Sequence, residues 1–382
     1  MNKLLYRLLL PTLALMGTVA SCDDDNNYRH ETSEDNPPIT PSSDDVTKPE
    51  GQTAFVVAQG NQGYAILGEV DGLNTSKHTS QTNLFFVTNR QGLGDTPQAP
   101  LRYGSRIYFP VFGSNCVWVC DAQSLRAEKQ IMTAAPEALC AADGYVFVAN
   151  NDGHVTRIDT LTMATTQSAA VGPNPAGLAA ADGKVYVSIS DGYNWQNGYV
   201  NGKKVVALDI RSLAVAATYD VPVNPGAVCA DDAGRIYVLT RGDYATVMPQ
   251  IVRLGHDGGC EVVVEGSSLL MDVSGSTLYF TDTVTDWATY TSTTKTYALD
   301  LKGQGGPQEI NLDATADAAE TRRLPASPTF IQVSPRGGHL FIGSLATGSG
   351  YAEPGYVYEY QADGAYVYRY SAGVMPFGMV FK

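Results

Sequence analysis

The chain is short of positive charge, and this shortage limits the partners it can have. Its 382 residues include 25 lysines and arginines against 39 aspartates and glutamates, which gives a formal net charge of −14. Domains that bind nucleic acid usually carry a basic stripe or cluster, and none is visible here. The composition therefore argues against nucleic acid as a partner, and against docking on anionic lipid headgroups by charge.

Motifs for catalysis and metal binding are also missing from the sequence. There is no Gly-x-Ser-x-Gly elbow, no His-Glu-x-x-His pair and no phosphate-cradling glycine loop. No CxxC pair or Asp-x-Asp-x-Asp-Gly calcium loop occurs. We therefore predict no catalytic residue, no metal ligand and no cofactor. Two alternatives stay open: a catalytic triad assembled in space, and a calcium ion held by backbone carbonyls in a central pore.

Cysteine is scarce, with six residues in the chain. Cys22 stands apart near the N-terminus, and an odd number remains, so the others cannot all pair with one another. Cys116 and Cys120 are four residues apart on a predicted strand and hence share one of its faces. We interpret the five mainly as small buried apolar side chains. One disulfide is left open among Cys116, Cys120, Cys140, Cys229 and Cys260.

The N-terminus has a short apolar run with the features of an export signal. Residues 8–20 are largely apolar, follow Lys3 and Arg7, and are too few to span a bilayer as a stable helix. The small residues Ala20 and Ser21 directly before Cys22 resemble the lipobox of bacterial lipoproteins. That resemblance implies a signal peptide over residues 1–21 and lipidation of Cys22; an ordinary secretory signal is the alternative.

Residues 22–51 are predicted to form a flexible tether. They contain nine acidic residues, two basic residues and four prolines, with too few apolar side chains to build a core. The acidic run Asp23-Asp24-Asp25 directly after Cys22 resembles the surface-export tag of Bacteroidetes lipoproteins. The resemblance implies a protein that is lipid-anchored in the cell outer membrane, faces the extracellular side and contacts the membrane through the lipid only.

The rest of the chain is dominated by a repeated phrase, a turn followed by an alternating Tyr/Phe/Val strand. A repeat of about 40 residues is typical of propeller blades. We predict an all-β fold over residues 52–382, a seven-bladed β-propeller with four-stranded blades. The copies begin at Ala54, Gly104, Asp143, Asp182, Ala233, Gly275 and Gly337.

A second phrase, a proline followed by small or apolar residues, precedes most of these copies. Proline suits the first position of a strand, so we assign the phrase to the innermost strand of each blade. It occurs at Pro136, Pro175, Pro225, Pro328 and Pro376. The last copy has no second strand after it, whereas the first repeat has no inner strand before it. The C-terminal strand is therefore predicted to complete the N-terminal blade and close the ring.

Residues 52–382 resemble the YncE-like seven-bladed propellers. The resemblance rests on the Pro-x-Gly/Ala entry, the Asp-Gly-x-Val-Tyr-Val strand and the third-to-fourth strand turns at 158–161 and 208–213. It implies the fold and says little about the ligand, because propellers carry many activities.

Four predicted connections between second and third strands are long: 190–203, 241–249, 282–295 and 344–354. They belong to blades 4–7 and share one face, whereas 113–115 and 150–153 are tight turns. Aromatic side chains are frequent in them and suit a flat ligand with a polar edge or a protein partner. The predicted binding residues are Tyr193, Trp195, Tyr199, Tyr244, Trp287, Tyr290 and Tyr351, with Asp191, Asp243 and Asp282 as hydrogen-bond acceptors. The alternative is that the aromatic residues only anchor their loops.

The lipid anchor, the ring and the aromatic loops together resemble the BtuG family of surface lipoproteins. Members of that family bind cobalamin and related corrinoids and pass them to a TonB-dependent outer-membrane transporter. The resemblance implies nutrient uptake with a corrinoid as transported ligand. It does not extend to a residue-by-residue match of the binding site. Alternatives are a cell-surface protein-interaction platform, a binder of a siderophore, haem or glycan, and a propeller lyase or hydrolase.

Overall fold

The structure, a computed structural model, describes residues 52–61, 65–286, 288–289, 291–313, 324–346 and 351–382. These residues form seven four-stranded antiparallel sheets, which confirms the predicted seven-bladed β-propeller. The predicted signal peptide, Cys22 and the tether lie outside the described residues. No helix within the described ranges is long and apolar enough to cross a membrane.

The blades follow one another along the chain. The strands of the first three blades are β1 (Ala54–Ala58), β2 (Glu69–Asn74) and β3 (Thr79–Gln81) in blade 1; β4 (Leu101–Tyr103), β5 (Arg106–Val111), β6 (Cys116–Asp121) and β7 (Ala127–Met132) in blade 2; and β8 (Pro136–Ala142), β9 (Tyr145–Asn150), β10 (His154–Asp159) and β11 (Thr165–Gln167) in blade 3. The next two blades contain β12 (Pro175–Ala181), β13 (Lys184–Ile189), β14 (Lys204–Asp209) and β15 (Val215–Asp220) in blade 4, and β16 (Pro225–Ala230), β17 (Ile236–Thr240), β18 (Gln250–Leu254) and β19 (Cys260–Glu265) in blade 5. The last two contain β20 (Leu269–Ser274), β21 (Thr277–Asp286), β22 (Thr291–Asp300) and β23 (Gln308–Ile310) in blade 6, and β24 (Ser327–Val333), β25 (Leu340–Leu345), β26 (Pro354–Tyr360) and β27 (Tyr366–Val374) in blade 7, which β28 (Pro376–Phe381) follows.

Local sequence sets the turns between these strands. Asp143 and Gly144 both have positive φ (51° and 84°), as the tight turn before the second strand of blade 3 requires. Asp209 ends the third strand of blade 4, where its carboxylate accepts hydrogen bonds from the backbone N–H groups of Arg211 (3.1 Å) and Ser212 (2.8 Å). Because the aspartate orders the turn with its own side chain, the repeated phrase predicts the strand end correctly.

The ring closes through the C-terminal strand, as predicted. β28 pairs antiparallel with β1, so that blade 1 has the strand order β28-β1-β2-β3. Met379 is buried in an apolar cluster between blades 1 and 7, with Phe330 and Phe341 of blade 7. The closing strand therefore contributes both a sheet partner and core side chains.

A short helix, α1 (Leu84–Asn89), lies between β3 and β4, and the sequence did not indicate it. Its Phe85 packs in the core between blades 1 and 2, with ring centroids 6.5 Å from Phe109 and 5.6 Å from Trp118. The Trp118 indole N–H donates to the Leu93 carbonyl at 2.9 Å. The helix thus fills the outer gap between the first two blades.

The five described cysteines are free thiols, of which Cys116, Cys120 and Cys140 are buried. For these three, the burial agrees with their interpretation as small core side chains, whereas Cys229 and Cys260 are half-buried. The disulfide left open by the sequence is not formed among the described residues.

Candidate functional site at the loop-rich face

The connections between second and third strands all emerge on one face of the ring. They are short in blades 2 and 3 (112–115 and 151–153) and long in blades 4, 5 and 7 (190–203, 241–249 and 346–353), as predicted. Blade 1 adds a long connection, 59–68, which the sequence analysis missed. We call this side the loop-rich face; it comprises these four long connections and the β21–β22 hairpin.

The prediction of a long loop over residues 282–295 was wrong. β21 continues to Asp286 and β22 begins at Thr291, so only four residues connect an extended hairpin. Within it, the hydroxyls of the cross-strand pair Thr283 and Thr294 lie 2.8 Å apart. Its polar threonines suggested a loop, but β-branched residues with cross-strand hydroxyl pairs favour a strand.

In blade 4, Asp191 orders the connection that it begins. Asp191 has positive φ (49°), precedes a 3-10 helix (Gly192–Asn197) and is almost fully buried. Its carboxylate accepts hydrogen bonds from the Asn194 side chain (3.0 Å) and from the backbone N–H of Asn201 (2.9 Å). The bonds span the connection and hold it against the blade.

Asp243 likewise orders the connection between the second and third strands of blade 5. Its carboxylate accepts hydrogen bonds from the backbone N–H groups of Ala245 (2.9 Å), Thr246 (2.7 Å) and Val247 (2.8 Å), and from the Thr246 hydroxyl (2.7 Å). Partial burial works to raise the pKa of Asp243, but these hydrogen bonds outweigh it and lower the pKa well below its usual range.

The third predicted acceptor, Asp282, lies on β21 and contacts the connection that precedes β20. Its Oδ1 accepts hydrogen bonds from the backbone N–H groups of Ser267 (2.8 Å) and Ser268 (3.0 Å). The carboxylates of all three aspartates thus already accept hydrogen bonds from neighbouring residues. Their hydrogen bonds order the backbone of the described parts of these connections.

The predicted aromatic residues divide by exposure. Tyr193 and Trp195 of blade 4 and Tyr244 of blade 5 are 48%, 57% and 41% exposed. Tyr199 is only 6% exposed, and it anchors its connection to the blade as the alternative interpretation described. Three aromatic side chains on neighbouring blades therefore face solvent from loops whose backbones are fixed.

Tyr351, another of the predicted binding residues, lies where the connections of blades 7 and 1 meet. The Tyr351 carbonyl accepts a hydrogen bond of 2.7 Å from the Asn61 side chain, which joins the connections of the two blades. The other two predicted aromatic residues, Trp287 and Tyr290, lie outside the described residues.

Large apolar side chains accompany the exposed aromatic residues on the loop-rich face. They are exposed in blades 1, 4, 5 and 6 and in the connection to blade 7. Several large apolar side chains exposed on one side of a protein are typical of an interaction surface. The residues are Leu67, Val200, Val247, Met248, Val284 and Leu324.

Histidines offer little chemistry here. His154 Nδ1 lies 3.3 Å from Asp152 Oδ1 in the tight turn of blade 3. On the opposite face, His339 Nδ1 lies 2.6 Å from Glu359 Oε1, and the Tyr370 hydroxyl donates to the other oxygen of this buried carboxylate. Across the part of the chain that the structure describes, no group of three His, Cys, Asp or Glu side chains could hold a metal ion.

Comparison with known proteins identifies the fold. No protein-family model and no curated protein matches the chain. Among solved structures, it is similar to a quinonprotein alcohol dehydrogenase-like protein from Bacteroides thetaiotaomicron, with a TM-score of 0.59 and 17% identity over 87% of this chain and 78% of that one. It is also similar to the hydrazine synthase of Kuenenia stuttgartiensis, with a TM-score of 0.56 and 14% identity over 69% of this chain and 76% of that one.

At these identities the similarity shows the fold alone. The chain is a seven-bladed β-propeller, and this scaffold fits a binding or interaction role.

Proposed function

We propose that the protein binds a flat small molecule with a polar edge at the loop-rich face, and that the ligand is cobalamin or another corrinoid. We further propose that the protein is lipid-anchored at the outer-membrane surface and hands the ligand to a TonB-dependent transporter. The binding is non-covalent, with aromatic side chains packed against the ligand.

One observation carries the binding proposal: Tyr193, Trp195 and Tyr244 are exposed on two neighbouring blades, in loops ordered by Asp191 and Asp243. Solvent-exposed aromatic side chains on a rigid backbone offer a large contact area, and little conformational entropy is lost on binding. A flat ligand can lie across such side chains while its polar rim contacts the surrounding loops.

The surface location rests on the sequence, through the lipobox-like residues before Cys22 and the acidic segment after it. A flexible tether of residues 22–51 would let the propeller move over a transporter that is held in the same membrane. Such tethering raises the effective ligand concentration at the transporter and needs no tight contact between the two proteins.

Calorimetric titration of the full chain with cyanocobalamin tests the proposal. We expect one-to-one binding that Trp195→Ala and Tyr244→Ala each weaken by about tenfold, as for aromatic side chains central to an interface. Tyr368→Ala, on the outermost strand of blade 7, is the matched control and should bind as the wild type does. Absence of heat at high micromolar cyanocobalamin would exclude the corrinoid.

A protein-interaction platform is the second candidate, and the exposed aliphatic side chains favour it. Leu67, Met248 and Val284 lie on three different blades, a wider spread than the aromatic residues show. A protein partner would cover all three, whereas a small molecule on blades 4 and 5 would leave Leu67 exposed. Hydrogen exchange of the 59–68 connection, measured with and without a candidate partner, separates the two cases. A siderophore, haem or glycan would be revealed by direct titration with that ligand when cyanocobalamin gives no heat.

A further inference from the structure

The innermost strands share a β-bulge at the mouth of the central channel. In blades 3, 4, 5 and 7, and in the β28 strand of blade 1, the pairing register shifts directly after the first proline of the phrase. A bulge leaves residues unpaired and redirects their side chains, and bulges are frequent beside functional sites. The residues within the shift are Glu137, Ala176, Gly226 with Ala227, Thr329 and Phe377. Only Glu137 is ionisable.

The Glu137 carboxylate is desolvated and has few partners. The Glu137 side chain retains some accessible surface, and it stands at the bulge of the inner strand β8. Its hydrogen bond from the Asn151 side chain is long, at 3.5 Å. Burial raises the pKa of Glu137. The charge of Arg241 and the hydrogen bond from Asn151 lower it by less, so the pKa stays above its usual value. A carboxylate accepts about four hydrogen bonds, so most of its capacity is unused.

Arg241 of blade 5, two blades from Glu137, carries hydrogen-bond donors that complement the Glu137 carboxylate. It directly follows β17, and its guanidinium lies over the backbone of Gly226, where a Cβ would come within 2.7 Å of the Arg241 Cζ. A larger residue at position 226 would therefore displace the guanidinium from its place on the inner strand of blade 5. Arg241 makes no side-chain hydrogen bond or ion pair within the described residues, so its planar set of donors is available.

A single inner strand, that of blade 4, lies between these two groups. β12 of blade 4 contacts both β8, which carries Glu137, and β16, whose Gly226 the Arg241 guanidinium covers. The bulged residue of β12 is Ala176, which has the smallest chiral side chain. The Asn151 side chain, which donates to Glu137, accepts a hydrogen bond of 2.5 Å from the Asn174 side chain. The Asn174 Oδ1 in turn accepts a hydrogen bond of 3.3 Å from the backbone N–H of Tyr193. The exposed aromatic residues therefore adjoin this pair.

We propose that Glu137 and Arg241 form a subsite for a primary carboxamide at the channel mouth. The two charges cancel, so the subsite favours a neutral group over an anion or a cation. A carboxamide donates its N–H to the Glu137 carboxylate and accepts from the Arg241 guanidinium through its carbonyl. This inference rests on the proposed function and assigns polar recognition to residues other than the three predicted aspartates, which are engaged in their own loops.

Ligand-observed saturation-transfer NMR on the full chain tests the subsite with three probes of one shape. Benzamide carries the carboxamide, methyl benzoate lacks the N–H donors, and benzoate is an anion. We expect saturation transfer to benzamide at least fivefold above that to methyl benzoate or benzoate. Equal transfer to benzamide and methyl benzoate would overturn the proposal.

The variants Glu137→Ala and Arg241→Ala should each remove most of the benzamide signal. Glu128→Ala, on the outermost strand of blade 2, is the matched control and should leave it unchanged. Because Glu137→Ala removes a desolvated charge, we expect it to fold, and Glu137→Gln gives a second variant of nearly the same shape. Unchanged benzamide binding in folded Glu137→Ala would overturn the subsite.

The two proposals fail separately. If benzamide binding depends on Glu137 while cyanocobalamin does not bind, the subsite stands and the corrinoid is excluded. If cyanocobalamin binds with the same affinity to wild type, Glu137→Ala and Arg241→Ala, the corrinoid stands and the subsite is excluded.

Discussion

The Asp71 carboxylate on β2 of blade 1 accepts a hydrogen bond of 2.7 Å from the backbone N–H of Gly373 on β27 of blade 7. Its other oxygen accepts one of 2.8 Å from the backbone N–H of Asn83, directly before α1. Asp71 is fully buried. One carboxylate thus joins two blades and the only α-helix of the described residues.

This buried carboxylate predicts a loss of stability as pH rises. Burial, with a smaller contribution from the charge of Glu69, raises the pKa of Asp71 to about 7. Burial likewise raises the pKa of Asp272 to about 6. Because both values lie above the unfolded-state value of 3.8, the folded state holds the protons more tightly. Their stabilising contribution is complete below about pH 4 and is lost as the pH passes through 6 to 7. We expect the free energy of unfolding in urea to fall by about 2 kcal/mol per group between pH 5 and 8.

Asp71→Asn isolates this group. At pH 5 the variant should be less stable than the wild type, because its amide places N–H donors against the backbone donors. At pH 8 the difference should shrink or reverse, since the wild type then carries a buried charge. Asp363→Asn, in an exposed turn, should keep the wild-type slope; an unchanged slope in Asp71→Asn would contradict the assignment.

Asp243→Ala should loosen the blade 5 connection while leaving the ring intact. The substitution removes the acceptor of three backbone N–H groups, each worth about 1 kcal/mol of local stability. Hydrogen exchange measured by mass spectrometry should show faster exchange over residues 241–249. Asp257→Ala, which removes one such bond in the β18–β19 turn, should affect only its own turn. Slow exchange in Asp243→Ala would show that other contacts hold the loop.

Met379→Ala should destabilise the whole propeller by about 2–5 kcal/mol, the usual cost of truncating a buried methionine. Met379 is 1% exposed and packs between blades 1 and 7. Lys382→Ala, three residues further, is the surface control and should change stability by less than about 0.5 kcal/mol. Equal stability of the two variants in urea would show that the closing strand is not part of the cooperative core.

The thiols of Cys120 and Cys140 should be free of disulfide bonds and yet unreactive towards alkylating reagents in the folded protein. Burial raises the pKa of Cys120 and Cys140 above the usual range for a thiol, so little reactive thiolate forms. We expect both to resist iodoacetamide in the native state and to react in denaturant without a reductant, as read by peptide mass spectrometry. A thiol that reacts only after reduction would indicate a disulfide.

The sequence predicts the blade architecture well because each blade repeats its own turn signals. Asp143-Gly144 and the aspartate at the end of the third strand act through neighbouring residues only, so their effect is visible without tertiary contacts. The helix α1 and the connection 59–68 escaped prediction because they occur once and have no repeat to identify them.

The candidate site is only partly visible in the sequence, since burial decides the role of each side chain. Tyr193 and Tyr199 look alike in the sequence, yet one is exposed and the other is covered. Glu137 did leave a signal: of the five proline phrases, only Pro136-Glu137 has a charged second residue. The signal is weak in isolation, because its meaning depends on the bulge that all five phrases share.

The pairing of β28 with β1 also constrains the order of folding. Ala54 faces Phe381 across the sheet, so blade 1 cannot be completed before nearly the whole propeller has been synthesised. Bringing such distant segments together costs loop-closure entropy and makes this step slow. Until then, the edge of β1 that pairs with β28 stays open, and an open strand edge can pair with other chains. A chain that lacks β28 would leave β1 without one of its two sheet partners, so the ring could not close.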